Sequence, residues 1–222
     1  MLLTALIPFN AVQKVMNYKK IRPLNNKTIV LDPGHGGIDG GTSFGDVLEK
    51  NINLKIGLRL KEELMKKGAT VIMTRETDDS LDDHIDNGSR HREDLNARVK
   101  IVNDNKADIF ISIHVNHTKN EHKVGPIVFY NEKSEKSKYL AEYVQNNLNN
   151  LSAYKKLEIG TKHSATPGNY YTLINISSPG VIVETGFISN EIDRNLLLEN
   201  EHQNEIIELI ANSIITFFNE VE

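Results

Sequence analysis

The chain of 222 residues contains no cysteine, no tryptophan and eight histidines, and its formal net charge at pH 7 is −4. At about 100–200 residues per domain, this length fits one large domain, or one domain with a tail. The absence of cysteine excludes disulfides, cysteine zinc fingers, iron–sulfur clusters and thiol nucleophiles, and the slightly acidic balance argues against nucleic acid as a partner.

The N-terminal segment is uncharged and mostly apolar over its first 13 residues. A membrane span needs about 20 apolar residues, so this stretch is too short as it stands, and it lacks the basic start of a signal peptide. We interpret residues 1–24 as either a folded arm or the remnant of an export or anchor segment. Residues 25–222 are predicted to form one domain.

From residue 27 onward, strand patterns alternate with helix patterns. Apolar and β-branched runs predict six short strands, over 27–31, 69–74, 107–114, 124–130, 170–174 and 181–184. Apolar residues at helical spacing predict helices over 49–67, 90–105 and 136–151, and a helix or helix pair over 191–222. The predicted fold is therefore a single α/β domain, with a mainly parallel twisted sheet of about six strands and helices on both faces.

Four polar side chains are predicted to meet at one edge of this sheet. His35 follows the first strand, His114 ends the third strand and Glu184 ends the sixth. Glu49 opens the first predicted helix, whose start faces the same edge. Because sites in open parallel sheets gather at the carboxyl ends of strands, we expect these four groups to converge.

The glycine-rich turn around His35 has an alternative interpretation as a phosphate-binding loop. Gly34 and Gly36 would need a third glycine at the position of Asp39, and no Gly-Lys-Ser or Gly-Lys-Thr follows. The turn therefore matches neither the dinucleotide-binding pattern nor a P-loop. We expect its glycines to allow a tight turn and to leave space beside His35.

Two imidazoles and one carboxylate suit zinc, which then keeps an open position for water. A further carboxylate beside the metal could take a proton from water while the metal polarises a carbonyl, which is the chemistry of amide or ester hydrolysis. Taken singly, each residue also has a structural interpretation. A histidine at a strand end can be a capping or surface residue, Glu49 can stabilise a helix N-terminus, and Glu184 can pair with a cation.

Other polar residues near this edge are candidates for substrate contacts. They are Asn116 and His117, just past the third strand, and Arg98 in the second helix. A structural ion pair is the alternative for Arg98. Asp32 is expected either to orient His35 or to form the Asp-Pro turn.

Four segments of the chain carry a family likeness. They are IVLDPGHGGID (29–39), LEKNINL (48–54), ADIFISIHVN (107–116) and VETGFISN (183–190). In this order they resemble the zinc-dependent N-acetylmuramoyl-L-alanine amidases of the amidase-3 family, from about residue 27 to the last helix. The resemblance implies that residues 25–222 are a catalytic domain that hydrolyses the amide between N-acetylmuramic acid and L-alanine in peptidoglycan.

The same resemblance implies roles for individual residues. It places the Zn²⁺ ligands on His35, Glu49 and His114 and the catalytic glutamate on Glu184. Two features depart from the family pattern: His117 stands where a small residue is usual, and residues 77–94 are longer and more acidic.

The compact layout with an apolar N-terminal stretch is similar to that of germination-specific spore amidases. This likeness implies action on spore cortex and muramic-δ-lactam formation, outside the cytoplasm, by a protein exported or membrane-anchored through its N-terminal segment. The implied partner is peptidoglycan, with an accessory targeting or activating protein as a further expectation. Two other functions stay open: a zinc peptidase or deacetylase acting on the wall polymer, and a non-catalytic peptidoglycan-binding module.

Overall fold

A computed structural model describes residues 22–82 and 89–221. The predicted N-terminal arm therefore lies almost wholly outside the described residues. Within them the strands are β1 (Thr28–Pro33), β2 (Ser43–Phe44), β3 (Val47–Leu48), β4 (Thr70–Met73), β5 (Ile109–Asn116), β6 (Ile127–Tyr130), β7 (Thr166–Pro167) and β8 (Gly180–Phe187). The helices are α1 (Glu49–Lys66), α2 (Arg90–Asp104), α3 (Glu135–Leu148), α4 (Ser152–Lys156), α5 (Tyr171–Asn175), α6 (Glu191–Leu198) and α7 (Asn200–Glu220).

Six strands form one sheet in the order β4-β1-β5-β8-β6-β7, and β2 and β3 form a separate antiparallel pair. Only the pairing of β6 with β8 is antiparallel in the larger sheet. The predicted α/β domain with a mainly parallel sheet of about six strands is thus confirmed. In the part of the chain that the structure describes, no helix is long and apolar enough to cross a membrane.

The alternation of side chains along the buried strands divides the core into two layers. On β1, Ile29 and Leu31 face the larger cluster, which includes buried residues of α1, α3 and α7, whereas Val30 faces the smaller one beside Val102 of α2. This two-residue period is what an extended strand produces. It explains why β1 and β5 read as almost continuous apolar runs, because both faces of the sheet are covered.

The predicted strand over 170–174 is wrong. That segment is the short helix α5, and the sixth strand of the sheet is instead Thr166–Pro167. A five-residue apolar run does not distinguish a strand from one helical turn by periodicity. The adjacent residues Thr172 and Leu173 are both buried, as one face of a helix allows and a strand with one exposed face does not. The C-terminal segment is a helix pair, because extended backbone at Glu199 separates α6 from α7.

Candidate metal centre and active site

The carboxyl ends of the central strands bring the histidines to the start of α1. β1 ends at Pro33, and the next amide, that of Gly34, donates to the carbonyl of Ile113 on β5 at 2.9 Å. His35 therefore lies beside His114, and the centroids of the two rings are 5.0 Å apart. The structure thus brings these two histidines together at the predicted edge of the sheet.

Glu49 lies between the two imidazoles. Its Oε1 is 2.9 Å from Nδ1 of His114 and 3.3 Å from Nε2 of His35. One ligand atom from each of the three residues can be chosen so that all lie within 4.8 Å of one another. Two nitrogen donors and one carboxylate oxygen at this spacing fit a single metal ion.

The Glu49 carboxylate is almost fully buried, at 3 % exposure, yet it is well bonded. It accepts hydrogen bonds from the backbone amides of Thr42 and Val115, at 2.8 and 3.0 Å, and from the side-chain amide of Asn53 at 3.3 Å. Burial alone would raise the pKa of Glu49, but the hydrogen bonds and charges of the two histidines lower it well below its usual range. Glu49 is therefore ionised, as a metal ligand must be.

Asp39 orients the ring of His35. Its Oδ2 is 2.7 Å from Nδ1 of His35, which leaves Nε2 directed at Glu49. Burial opposes the charged imidazole, but Glu49 and Asp39 together raise the pKa of His35 to about 9. The cluster thus favours a positive charge, which a bound cation would supply. The sequence analysis did not assign this role to Asp39, although a carboxylate four residues after the histidine in the same turn was the available signal.

Two glycines leave the room that this arrangement requires. A side chain at Gly34 would overlap the ring of His114, so the space at that position is beside His114 and not, as expected, beside His35. Gly41 has a φ of +66°, and a Cβ there would lie 2.6 Å from Oε2 of Glu49 and 2.7 Å from Cδ2 of His35.

Glu184 lies on β8 directly opposite His114 in the β5–β8 register. Within the described residues its Oε2 is buried and has no hydrogen-bond partner. Burial raises the pKa of Glu184 to about 7, with the charge of Glu49 adding to the rise and that of His114 opposing it. A buried carboxyl of this kind can hold or release a proton near neutral pH.

A cavity of about 330 Å³ opens over these groups. α2 forms one side and the Asn169–Thr172 segment forms the other, and His35, His114 and Glu184 lie at its base. Tyr171 links the two sides, because its hydroxyl donates to Asn96 at 2.6 Å. Tyr170 and Tyr171 were not expected at the cavity, because the sequence pattern predicts a strand over 170–174.

Arg98 lies beneath the cavity and has a structural role. Its guanidinium is almost fully buried and donates to the carboxylates of Asp32 and Asp94 and to the carbonyls of Pro33 and His35. These bonds use all five N–H groups of the side chain, which leaves none for a substrate. The geometry therefore favours the structural ion pair over the predicted substrate contact.

Asp32 anchors this network and does not bond to the His35 ring. Its carboxylate accepts hydrogen bonds from the hydroxyls of Thr74 and Ser112, both at 2.7 Å, and pairs with Arg98. Burial opposes ionisation, but the charge of Arg98 and these two hydroxyls lower the pKa of Asp32 to about 2. Asp32 is thus linked to His35 through Arg98, which binds the His35 carbonyl.

Asn116 is the last residue of β5, and His117 directly follows it. The carbonyl of Asn116 accepts a hydrogen bond from the amide of Ile188 at 2.8 Å, and the side chain of His117 is exposed. Among the described residues, neither belongs to the lining of the cavity. Their contacts with a substrate remain predictions.

Comparisons with known proteins agree with this geometry. Residues 29–216 match the family described as N-acetylmuramoyl-L-alanine amidase. The chain is 36 % identical over 200 residues to the germination-specific N-acetylmuramoyl-L-alanine amidase of Bacillus subtilis, covering 89 % of this chain and 82 % of that protein. It is 33 % identical over 204 residues to the probable cell wall amidase LytH of Staphylococcus saprophyticus, covering 90 % of this chain and 61 % of that protein.

Among solved structures, the chain resembles the CwlD amidase from Clostridioides difficile, which was solved in complex with the GerS lipoprotein. The TM-score is 0.80 at 34 % identity, and the match covers 87 % of this chain and 99 % of that chain.

Proposed function

The chain belongs to the amidase-3 family of N-acetylmuramoyl-L-alanine amidases, and from that premise we propose that it is a zinc-dependent enzyme that removes stem peptides from spore-cortex peptidoglycan. The observation that supports zinc most strongly is the convergence of His35 and His114 on one oxygen of Glu49. The bond that is cut is the amide between the lactyl group of N-acetylmuramic acid and L-alanine.

In this proposal His35, Glu49 and His114 hold the zinc ion. When bound, zinc supplies Lewis-acid polarisation of the scissile carbonyl and makes water more acidic. Asp39 keeps the His35 ring oriented through its bond to Nδ1, as carboxylates commonly do for metal-binding histidines.

Glu184 is proposed as the general base and then the general acid. Its carboxylate accepts a proton from the attacking water and then donates that proton to the departing alanine nitrogen. The support is its position opposite His114 and its Oε2, which has no partner in the described part of the chain. A carboxyl already bonded on both oxygens would be a poorer proton carrier.

The spore role is supported by similarity alone. The germination-specific relative suggests cortex as the substrate, and removal of stem peptides there would permit muramic-δ-lactam formation. The cell wall relatives support action outside the cytoplasm. We propose that residues 25–222 are the catalytic domain.

We also propose that an accessory protein targets or activates the enzyme. The support is the CwlD amidase, whose structure was solved as a complex with a lipoprotein.

Digestion of purified peptidoglycan tests the proposed reaction. Cortex and vegetative sacculi would be incubated with the untreated enzyme, with chelator-treated enzyme, and with chelator-treated enzyme after addition of zinc. We expect release of intact stem peptides with a free alanine amino group, lost on chelation and restored by zinc, and faster on cortex. Shortened peptides would indicate a peptidase, loss of acetyl groups a deacetylase, and binding without any product a non-catalytic module.

A further inference from the structure

Arg75 is a buried cation that the proposed reaction does not use. It follows β4 and is 4 % exposed. Within the described residues its guanidinium has no ion-pair partner, and its N–H groups donate instead to four backbone carbonyls. The acceptors are Pro33 at 2.9 Å, Gly34 at 3.0 Å, Lys50 at 2.9 Å and Thr77 at 3.0 Å. Asp32, Asp78 and Asp94 act on this charge only at longer range. Its direct hydrogen bonds all go to backbone carbonyls, which indicates a role in holding the backbone.

The carbonyls that Arg75 binds belong to both segments that carry the proposed ligands. Pro33 and Gly34 directly precede His35, and Lys50 directly follows Glu49. One planar side chain with five fixed donors is suited to bond to both segments at once. Arg75 therefore joins the turn after β1 to the first turn of α1.

Asp78 makes a second link between the same two segments. Its carboxylate accepts from the amide of Gly37 at 2.9 Å and from Nζ of Lys50 at 2.7 Å. Nζ of Lys50 also donates to the carbonyl of Gly37 at 2.7 Å. Two residues of the stretch that follows β4 thus bind the His35 turn and the start of α1 together.

The His35 turn needs such support because of its backbone conformation. His35 has a φ of +63°, in the left-handed region that residues other than glycine rarely adopt. The turn lies directly against Arg75, since a Cβ on Gly36 would be 3.0 Å from Cδ and Nε of that side chain. Strained backbone at a functional site persists only where the surrounding structure holds it.

We propose that Arg75 is a positioning residue that sets the spacing between His35 and Glu49, with Asp78 as a weaker second link. Among the described residues Arg75 makes no hydrogen bond or ion pair to a proposed ligand side chain, and it acts through the backbone of both segments. The inference rests on the proposed function, because it assumes that these residues bind zinc.

The zinc affinity of Arg75→Lys tests this role. Lysine keeps the positive charge, but its ammonium group has only three donors and lacks the planar arrangement that lets arginine bond to four carbonyls. Arg59→Lys is the matched control. Arg59 bonds to Gln203 and Asn204 of α7, and it lies about 15 Å along α1 from Glu49 at the usual helical rise. The dissociation constant for zinc would be measured on the full chain by competition with a chromophoric chelator, together with the Tm of the zinc-free protein.

We expect Arg75→Lys to raise the zinc dissociation constant about 10–100-fold, and Arg59→Lys to leave it unchanged. Asp78→Asn is a second variant that should keep the fold, because Asp78 is half-exposed, and it should raise the constant by a smaller factor. A lower Tm with unchanged zinc affinity in Arg75→Lys would mean a purely structural residue and would overturn the inference.

If Arg75→Lys does not fold, unchanged zinc affinity in Asp78→Asn overturns the inference, and a raised dissociation constant supports it. If the unaltered chain itself binds no zinc, the proposed function fails, and this inference fails with it. Tight zinc binding by the unaltered chain and by both variants overturns the positioning role alone.

Discussion

Two parts of the site each bury a glutamate, and the two glutamates behave in opposite ways. On the ligand side, formed by His35, Glu49 and His114, burial is outweighed by hydrogen bonds and neighbouring imidazoles, which lower the pKa of Glu49. On the Glu184 side, formed by Glu184 with Tyr170 and Ile182, burial dominates and raises the pKa of Glu184 to about 7.

The difference shows that burial alone does not decide the charge of a carboxyl group. A buried carboxylate is stable where donors surround it, and it tends to bind a proton where they are missing. Glu49 accepts from Thr42 and Val115 as well as from Asn53. Oε2 of Glu184 has no partner in the described part of the chain. The surroundings of Glu49 therefore suit the proposed cation, and those of Glu184 suit the proposed proton transfer.

The largest effect should come from Glu184→Gln. Glutamine keeps the shape of the side chain but cannot accept a proton, so release of stem peptides should fall about 10²–10⁴-fold. Mass analysis of digested peptidoglycan measures this rate, and the exposed Glu208→Gln on α7 is the control. Normal release of stem peptides by Glu184→Gln would show that Glu184 does not transfer the proton.

Arg98→Met tests the polar support beneath the ligand side. It leaves the buried charge of Asp32 without its partner, so the free energy of unfolding should fall by about 3–5 kcal/mol. The control on the same helix is Lys100→Met, which removes an exposed pair with Asp104 and should cost less than about 1 kcal/mol. Denaturant titration measures the free energy of unfolding of both variants. Equally small decreases would show that the Asp32–Arg98 pair does not stabilise the fold more than an exposed pair does.

A buried histidine away from the cavity gives a comparison by pH. His202 on α7 has no hydrogen-bond partner for either ring nitrogen among the described residues, and burial lowers its pKa to about 4. The unfolded chain binds a proton on His202 below about pH 6.5, whereas the folded chain does so only below about pH 4. The contribution of His202 to stability is therefore fully present above pH 6.5 and is lost as the pH falls to 4.

His202→Phe should remove that dependence. Phenylalanine keeps an aromatic ring edge-on to Tyr154 but cannot titrate. Between pH 7 and pH 4, the variant should lose about 1–3 kcal/mol less stability than the unaltered chain. The exposed His122→Gln should behave as the unaltered chain does. Parallel stability curves for His202→Phe and the unaltered chain would show that the buried imidazole is not the cause.

The smallest effect is expected for Tyr170→Ala on the Glu184 side. The Tyr170 ring packs against Phe129, with centroids 5.2 Å apart, and lines the cavity. We expect Tyr170 to contact the substrate equally in the ground state and in the transition state. Its loss should then raise KM up to about tenfold and leave kcat unchanged. Tyr139→Ala, on an exposed face of α3, is the control. A fall in kcat with constant KM would instead give Tyr170 a part in the chemistry.

The sequence alone was sufficient to predict that His35, Glu49, His114 and Glu184 lie close together. His35 follows β1, Glu49 begins α1, and His114 and Glu184 lie in the carboxyl-terminal halves of β5 and β8. Sheet topology then determines where they meet. Arg75 was not predictable in this way, because its partners are backbone carbonyls, which no side-chain pattern reveals.

Helix α5 was not predicted, for a different reason. Its five residues are too few for periodicity to distinguish one helical turn from a strand. This error also affected the predicted site, because Tyr170 and Tyr171 were placed in the sheet and not beside the cavity.

The zinc content of two variants tests the different roles of the two glutamates most directly. Glu49→Gln and Glu184→Gln make the same chemical change in the two parts of the site, and zinc per chain would be measured after dialysis against limiting metal. We expect about one zinc per chain in Glu184→Gln and in the unaltered protein, and almost none in Glu49→Gln. Full zinc in Glu49→Gln, or equal loss in both variants, would contradict the different roles of the two glutamates.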